Sequence, residues 1–410
     1  MNRKNIILFA ICFLSFSVLW YGCVIWDMKH ITWIMALSFW VLTFSLLLLL
    51  VRIFFKPNSN FYLAFFSITI TIIMAEFTLR LLGIGAFYME QRAGFYLSPF
   101  ASIDHGWFRI WEPNAYHTLS NIEYNYPRNT NSLGVSDVEF DKNKKSNSIR
   151  IFSIGDSFTE GDGSPADSTW PKRLKENISK IYPGINFDVY NTGVCGSDPF
   201  FGYKLLQEKL IAYHPDMVIM TVNNSDIDDY MVRGGMERFR PDSTTKYRQH
   251  PRYEFPVALS YINRLWLKNI LKLDYNLMTA QARKKLVPKA LADITSVIKA
   301  ADSLCTSNGS RFIVFFHPDK FEYKDGSYYV IQPIIDRINK ESSIPNCDFL
   351  DFLIRDPQIS KENINQYYWI IDGHHNSKGY MLMGDAITPK VISVLQPQLD
   401  SLQSIAQKNK

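Results

Sequence analysis

Hydrophobic residues are spread unevenly along this chain, and its N-terminal part is the most apolar. Three long runs with few charged residues occupy positions 6–26, 31–55 and 62–82. Each run has about the 20 residues that a helix needs to cross the hydrocarbon core of a bilayer. The pattern predicts a membrane anchor of three transmembrane helices within residues 1–84. Two transmembrane helices with one interfacial helix are the alternative.

Basic residues at the ends of these runs predict how the anchor is oriented. Arg3 and Lys4 precede the first run, and Arg52 and Lys56 follow the second. Because cytoplasmic loops are enriched in lysine and arginine, the start of the first run and the end of the second run are expected in the cytoplasm. A third crossing then places the chain after about Leu82 on the periplasmic side of the inner membrane. A cleaved signal peptide followed by soluble core helices is the competing interpretation, but no small-residue cleavage site follows the first run.

Two charged residues interrupt the third run. Glu76 and Arg80 lie four residues apart on one face of the predicted helix, where they can form an ion pair. A role in binding a membrane partner is a second interpretation of these charges.

Beyond residue 148, short apolar segments alternate with amphipathic ones. Strands are predicted at 149–154, 187–190, 217–222, 312–316 and 348–350. Helices are predicted from Trp170 to about Pro183, from Ser197 or Asp198 to about Tyr213, at 289–307 and 331–339, and after Ser377. Strands that alternate with helices of this length predict an α/β fold, a doubly wound parallel sheet with helices on both faces.

The other segments flank or interrupt this domain, which we assign to residues 149–395. Residues 85–148 are rich in aromatic residues, asparagine and proline without a helical period, so extended structure that packs against the domain is expected. Residues 230–285 break the alternation of strands and helices and are predicted to be an insertion near the functional site. Residues 396–410 are predicted to be a polar tail.

The first strand of the domain runs directly into a turn that carries a serine. The turn begins with Gly155-Asp156-Ser157-Phe158, and Gly161 and Gly163 follow it, which gives the backbone freedom for a sharp change of direction. Ligands of open α/β sheets collect outside the carboxyl ends of the strands, where Ser157 is expected to lie. Ser157 is therefore a candidate nucleophile, although loop serines are often turn formers.

This turn resembles the first sequence block of the GDSL/SGNH hydrolase superfamily, whose fold is a small doubly wound, flavodoxin-like sheet in three layers. The resemblance implies a serine esterase and extends over three further blocks, each at the end of a predicted strand. They are at Gly193, at residues 223–226 and at residues 372–380. The four blocks occur in the family's order and cover roughly residues 149–395.

The resemblance also implies the partners of the serine. Family members commonly place the base in a His-x-Asn-x-x-Gly pattern, and Asn376 with Gly379 selects His374. Asp372 is then the acid of a Ser-His-Asp triad. His375 remains the alternative base.

The donors of an oxyanion hole are less regular. Gly193 matches the family's second-block glycine, and its N–H is expected to serve together with the N–H of Ser157. The third block commonly carries an asparagine, and strict register places Ser225 there. A shift of one residue makes Asn224 the donor, with Asn223 as the next candidate.

Composition limits the classes of ligand that this chain is expected to bind. The net charge of +5 is spread along the chain and predicts no nucleic-acid partner. No His-Glu-x-x-His or comparable ligand spacing occurs, so neither a metal nor a cofactor is expected.

Cys195, Cys305 and Cys347 lie outside the predicted anchor and allow at most one disulfide among them. His317 ends a strand and either lines the pocket or is structural.

Basic and aromatic residues in the insertion suggest how a substrate is held. Arg233, Arg238, Arg240, Lys246, Arg248 and Arg252 lie in its first half, with tyrosines among them. Arg238 and Arg240 are the predicted substrate contacts, in keeping with a sugar or an anionic polymer. A solvated cationic surface is the alternative.

Three functions remain open at this stage. The first is a membrane-anchored serine esterase that cleaves acyl esters, such as those on envelope glycans. The second is an O-acyltransferase that modifies an extracytoplasmic polysaccharide and receives its acyl group through a multi-spanning membrane acyltransferase. The third is an inactive binding module that keeps the fold.

Overall fold

The computed structural model describes residues 3–24, 33–82, 110–241, 260–273 and 278–408. The chain divides into two compact units. Residues 1–104 and 248–284 form the first, called here the N-terminal unit, and residues 105–247 and 285–410 form the second, the sheet unit. The predicted insertion is thus divided between the two units.

The described residues form seven strands and thirteen helices. The strands are β1 (Tyr116–Ser120), β2 (Asn125–Asn129), β3 (Ser148–Ile154), β4 (Asn186–Asn191), β5 (Met217–Val222), β6 (Arg311–Phe316) and β7 (Asn346–Asp348). The helices are α1 (Arg3–Val24), α2 (Trp33–Phe54), α3 (Ser59–Leu81), α4 (Ser157–Glu160), α5 (Trp170–Ile181), α6 (Pro199–Leu205), α7 (Ser225–Arg233), α8 (Tyr261–Leu271), α9 (Ala280–Ser307), α10 (Lys320–Asp325), α11 (Gln332–Glu341), α12 (Phe349–Arg355) and α13 (Ser377–Lys408).

The N-terminal unit contains the three predicted apolar helices and α8. Two of its described helices are long and apolar enough to cross a membrane, over Ile34–Phe54 and Ser59–Leu81. A shorter apolar stretch, Asn5–Leu19, lies within α1. Helices α1, α2 and α3 therefore cover most of the described residues of the three apolar runs, and the second and third helices meet the length and composition of a membrane span.

Glu76 joins two helices of this unit. Its carboxylate accepts hydrogen bonds from Arg80 Nε at 2.9 Å, Ser260 Oγ at 2.8 Å, and the N–H groups of Tyr261 at 2.9 Å and Ile262 at 3.1 Å. Free N–H groups at a helix N-terminus attract a negative charge, so Glu76 of α3 caps α8. The predicted ion pair with Arg80 forms, and this chain itself supplies further partners of the carboxylate.

The five-stranded sheet of the sheet unit is parallel, with the order β4-β3-β5-β6-β7. Every residue of β3 and of β5 is buried, as the apolar pattern predicts for central parallel strands. The order corresponds to 2-1-3-4-5 along the chain, and the direction of winding reverses between β3 and β5. The α/β prediction is confirmed. The loops that follow β3 and β5 meet at this switch point, where ligands of such sheets bind.

The lead-in to the sheet contains a β-hairpin. Strands β1 and β2 pair antiparallel, from Tyr116 opposite Asn129 to Ser120 opposite Asn125. Residues 121–124 connect them, and we call this connection the hairpin tip. Asn121 stabilises the tip, because its side-chain oxygen accepts the N–H groups of Glu123 at 2.7 Å and Tyr124 at 3.1 Å.

Among the predicted boundaries that differ from the structure, two lie near the C-terminal end of the sheet unit. The last strand ends at Asp348, two residues early, because the Asp348 carboxylate accepts the N–H groups of Leu350 and Asp351 and thereby starts α12. The predicted tail is helical as far as Lys408, because α13 continues through it. Leu399, which is 1% exposed, ties this extension to the core.

Candidate active site

Ser157 begins a short helix at the carboxyl end of β3. Asp156 caps α4, since its side chain accepts the N–H of Phe158 at 3.0 Å. Gly161 ends the helix in the left-handed region, with φ of 93°, and its N–H donates to the Ser157 carbonyl. The cap and the glycine confine α4 to one turn, so Ser157 stands at a fixed point above the sheet.

Three of the predicted site residues form a connected chain of hydrogen bonds. His374 Nε2 lies 2.7 Å from Ser157 Oγ, and His374 Nδ1 lies 2.5 Å from Asp372 Oδ1. Because a carboxylate accepts, Nδ1 carries the proton and Nε2 is free to accept one from the serine. This is the geometry of a hydroxyl activated by an imidazole that an acid orients.

The surroundings of His374 favour its charged form. Burial works against a charged imidazole, but the hydrogen bond with Asp372 and the charges of Asp162 and Asp372 raise the pKa of His374. Burial also works against a charged Asp372, yet hydrogen bonds from His374 and Tyr124 lower its pKa. The site can therefore stabilise the imidazolium that forms when the serine loses its proton.

His375, the alternative base, is a core residue. It is buried, and its Nδ1 lies 3.2 Å from the Tyr367 carbonyl. The rings of Phe349, Tyr368 and Tyr380 surround it. Burial lowers the pKa of His375 well below its usual range, so it stays neutral. The adjacent histidines thus point to opposite sides of the loop.

Gly193 packs tightly beneath the nucleophile helix. A Cβ there would lie 2.2 Å from the Glu160 nitrogen and 2.5 Å from the Thr159 carbonyl carbon, both backbone atoms. The Gly193 N–H already donates to Asn191 Oδ1 at 3.0 Å. The prediction that this N–H meets an oxyanion therefore does not fit the structure, and Gly193 serves close packing instead.

Gly196, three residues further on, has the free N–H that Gly193 lacks. The loop that contains Gly196 contacts the turn before Ser157, since Val194 N–H and Ser197 Oγ both donate to the Gly155 carbonyl at 2.9 Å. Gly196 is exposed, with φ of 69°. Within the described residues, its N–H and that of Ser157 make no hydrogen bond. A second glycine in Asn-x-Gly-x-x-Gly was the sequence signal for this position.

The asparagines after β5 differ in what their side chains bind. Asn223 Nδ2 donates to Asp156 Oδ2 at 2.7 Å, and its Oδ1 accepts from Ser225 Oγ at 2.7 Å. Both Asn223 and Ser225 are thus occupied. The Asn224 side chain has no hydrogen-bond partner in the part of the chain that the structure describes, and its Oδ1 is buried. Since both of its neighbours contact the Asp156 carboxylate, Asn224 lies beside the nucleophile turn with a free amide.

His317 belongs to the network under the site. Its Nε2 lies 3.1 Å from Asn223 Nδ2, and its ring packs 4.6 Å from the ring of Phe158. Burial lowers the pKa of His317 to about 4, so the ring is neutral near pH 7. At 1% exposure, His317 supports the turn from below and does not face a substrate.

The two predicted arginine contacts lie in different surroundings. Arg238 is buried, and its two terminal nitrogens bind the Asp198 carboxylate at 2.7 and 2.8 Å. Because Asp198 also caps α6, this arginine fastens the insertion to the fold and is not free for a substrate. Arg240 is exposed. The predicted positions Lys246, Arg248 and Arg252 lie outside the described residues.

Two buried acids, Glu160 and Asp162, lie at the end of α4 and just after it. Glu160 accepts hydrogen bonds from Trp111 Nε1, Ser136 Oγ and the Cys195 N–H. Burial, together with the charge of nearby Asp162, raises the pKa of Glu160 to about 7. Neither acid was predicted to belong to the site, because nothing in the sequence distinguishes them from loop acids.

Arg128 holds the same loop from the hairpin side. Its guanidinium donates to the carbonyls of Glu160, the last residue of α4, and of Gly161 and Ser164, which follow that helix. Arg128 is buried at the second strand of the hairpin. The lead-in thus contributes directly to the shape of the site.

Ser157, His374 and Asp372 are only partly exposed. The side chains of His374 and Asp372 are 22% and 20% exposed. Two cavities, of about 830 and 680 Å³, lie elsewhere, and no triad residue lines either of them. Ser157, at 9% exposure, is the least exposed of the three triad residues.

Comparisons with known proteins give structural neighbours only. No family model matches the sequence, and no curated protein is similar to it. Similar solved structures include a protein assigned to the G-D-S-L lipolytic family from Desulfitobacterium hafniense DCB-2. It shares 17% identity with this chain, and the match covers 59% of this chain and 99% of that one, with a TM-score of 0.34. An acetyl-xylooligosaccharide esterase from Geobacillus Stearmophilus shares 14% identity over 59% of this chain and 94% of its own, with a TM-score of 0.37. A two-domain esterase active on acetylated mannans shares 14% identity over 60% of this chain and 50% of its own, with a TM-score of 0.36. At such identities and scores, the function must be argued from the site.

Proposed function

We propose that this chain is a membrane-anchored, extracytoplasmic serine esterase of the SGNH type. One observation carries the proposal: the unbroken hydrogen-bond chain from Ser157 Oγ through His374 to Asp372. The first and the last of the four sequence blocks that resemble that superfamily supply these three residues. A binding module without activity has no need of an imidazole held in this tautomer against a serine.

The proposed reaction is acyl transfer through an acyl-enzyme. Ser157 Oγ attacks the ester carbonyl while His374 Nε2 takes its proton, and Asp372 stabilises the imidazolium. His374 then returns the proton to the leaving alcohol. In the second half, His374 takes a proton from water, which attacks the acyl-enzyme carbonyl. The imidazolium then gives that proton to Ser157 Oγ as the bond from Oγ to the acyl carbon breaks and the acid leaves.

The oxyanion hole is proposed to consist of the N–H groups of Ser157 and Gly196 and the side-chain amide of Asn224. The three groups lack other partners among the described residues and flank the same turn. Donors held in place before the reaction stabilise the developing charge without reorganising, and the loss of one such donor typically costs about 10²–10³ in kcat.

Acylated glycans of the cell envelope are the proposed substrate class. The partial exposure of His374 and Asp372 is compatible with an ester carried on a polymer, and exposed Arg240 remains a candidate contact for a sugar or an anionic group. Arg238 no longer supports this proposal, because Asp198 occupies it.

The anchor is proposed to place the enzyme on the periplasmic side of the inner membrane. The support is the pair of apolar helices α2 and α3 and the distribution of basic residues around them. Transfer of the acyl group to a polysaccharide, with a multi-spanning membrane acyltransferase as partner, is the alternative. The Glu76 and Arg80 pair no longer favours such a partner, since Glu76 is bonded within this chain.

Hydrolysis of p-nitrophenyl acetate by the full-length protein in detergent tests the proposal. Ser157→Ala should abolish hydrolysis and labelling by a fluorophosphonate probe, whereas Ser296→Ala, on an exposed face of α9, should change neither. Unchanged hydrolysis in Ser157→Ala would end the assignment. To separate the alternatives, a glycan with free hydroxyl groups is added to the acetyl-enzyme. Acetate that appears only in solution, and never on the glycan, rules out transfer.

A further inference from the structure

The hairpin tip contacts the loop that carries the acid of the triad. The Glu123 carboxylate accepts the consecutive N–H groups of Ile370 at 2.9 Å, Ile371 at 3.0 Å and Asp372 at 2.7 Å. Three successive backbone donors on one carboxylate fix the path of this short segment. We call residues 370–372 the acid loop.

Two other residues of the tip bind the triad acid itself. Asn121 Nδ2 donates to Asp372 Oδ2 at 2.8 Å, and Tyr124 OH donates to the same oxygen at 3.3 Å. The other oxygen, Oδ1, accepts from His374 Nδ1. The carboxylate is therefore held at both ends, and its rotation about the Cβ–Cγ bond is restricted.

One further contact holds the acid loop: buried Lys320 donates from Nζ to the Ile370 carbonyl at 2.7 Å. Ile370 and Ile371 are each 72% exposed, so their side chains do not anchor the loop in the core. The ring of Tyr124 packs 5.6 Å from that of Trp369, which precedes the loop, and Trp369 Nε1 donates to the Gly163 carbonyl. The contacts of the hairpin tip thus replace the missing side-chain packing.

We propose that the hairpin tip is a positioning element of the catalytic site, in which Glu123 fixes the backbone of the acid loop while Asn121 and Tyr124 fix the carboxylate of Asp372. The inference rests on the proposed triad. It assigns a mechanistic task to a part of the chain that precedes the SGNH-like domain and that none of the four sequence blocks includes.

Glu123→Gln tests the backbone contact. A glutamine has one acceptor oxygen and places an NH₂ group against N–H donors, so the loop should loosen and kcat for p-nitrophenyl acetate should fall about tenfold, with KM nearly unchanged. Glu362→Gln makes the same exchange at an exposed position and should keep full kcat. An unchanged kcat in Glu123→Gln, or a loss that appears only as unfolding, would overturn this part.

Tyr124→Phe tests the contact with the carboxylate. Loss of the hydroxyl donor leaves more negative charge on Asp372 to stabilise the imidazolium, so the pKa of His374 should rise by roughly half a unit. Tyr126→Phe removes a hydroxyl from the ring stacked on Tyr124, 5.9 Å away, and should leave the titration as it is. NMR titration of the histidine ring in the full-length Ser157→Ala background measures both.

This titration needs no turnover. A wild-type protein that hydrolyses no ester would count against the proposed function alone, because the His374 titration still tests the hairpin tip. Identical His374 titration curves with and without the Tyr124 hydroxyl would overturn the proposal for the carboxylate.

Discussion

His374 Nε2 lies 2.7 Å from Ser157 Oγ, although 217 residues separate the two in sequence. The serine follows β3, a central strand of the sheet, whereas the histidine precedes the last helix. Their meeting requires the sheet, the one-turn helix α4 and the acid loop to be in place together. Most of the site therefore depends on parts of the chain that are distant in sequence.

Asp372→Asn should remove most of the activity without unfolding the protein. The amide cannot accept from Nδ1–H in the same way, so the imidazole loses the tautomer that leaves Nε2 free. In a triad, this exchange lowers kcat by about 10⁴. Steady-state hydrolysis of p-nitrophenyl acetate measures it, with Asp351→Asn, an exposed surface aspartate, as the control. A loss below tenfold would contradict the role of Asp372.

Asp162→Asn should move the acidic limb of the pH profile to lower pH. His374 must be neutral to accept the serine proton, so kcat/KM falls as the pH drops through its pKa. The Asp162 charge is among the causes that raise the pKa of His374, and its removal therefore keeps the imidazole neutral at lower pH. Profiles of kcat/KM between pH 5 and 9 test this. Asp167→Asn in the following exposed loop is the control, and a limb that stays in place would contradict the prediction.

Arg238→Ala should destabilise the sheet unit. The change leaves the buried Asp198 carboxylate without its bidentate arginine partner. Breaking a buried pair in this way costs about 3–5 kcal/mol of unfolding free energy. Arg240→Ala removes an exposed guanidinium and should leave Tm within error. Thermal melts of both variants decide between a structural and a substrate-binding role, since a substrate contact would lower turnover without lowering Tm.

Gly193→Ala should damage the nucleophile turn. The added Cβ meets backbone atoms of Thr159 and Glu160, which can yield only if α4 moves. Overpacking of this kind costs about 1–3 kcal/mol, and a displaced Ser157 lowers kcat as well. Gly184→Ala has no atom within 4 Å of the new Cβ and serves as the control. Equal stability and kcat in both variants would show that the close contact is dispensable.

The sequence was most informative where the signal is local. Alternation of apolar strands and amphipathic helices predicted the doubly wound sheet, and strand β5 begins and ends where the pattern places it. Asp198 and Pro199 announced the start of α6, because caps and first-turn prolines act within one turn. The order of the four blocks also named Ser157, His374 and Asp372, which the structure brings within hydrogen-bonding distance.

The sequence did not predict the roles of side chains whose partners are distant along the chain. Arg238 and Arg240 look alike in sequence, yet only Arg238 reaches the Asp198 carboxylate. Gly193 and Gly196 likewise share a loop, but Asn191 occupies the N–H of the first. The contribution of the hairpin tip was also missed, because nothing in residues 121–124 indicates that the chain returns to them with the acid loop.

By itself, the sequence determined the fold class, the three apolar helices and the identity of the serine, the histidine and the acid. The fold class and the helices follow from periodicity, whose physical causes act over a few residues, and the serine, the histidine and the acid follow from the resemblance of short motifs to the SGNH superfamily. The tertiary structure alone decided which backbone N–H groups stay free, which arginine is buried, and what holds Asp372 in place. Such features depend on distances of a few tenths of an ångström between residues far apart in the chain, and a hydrogen bond exists or fails within that range.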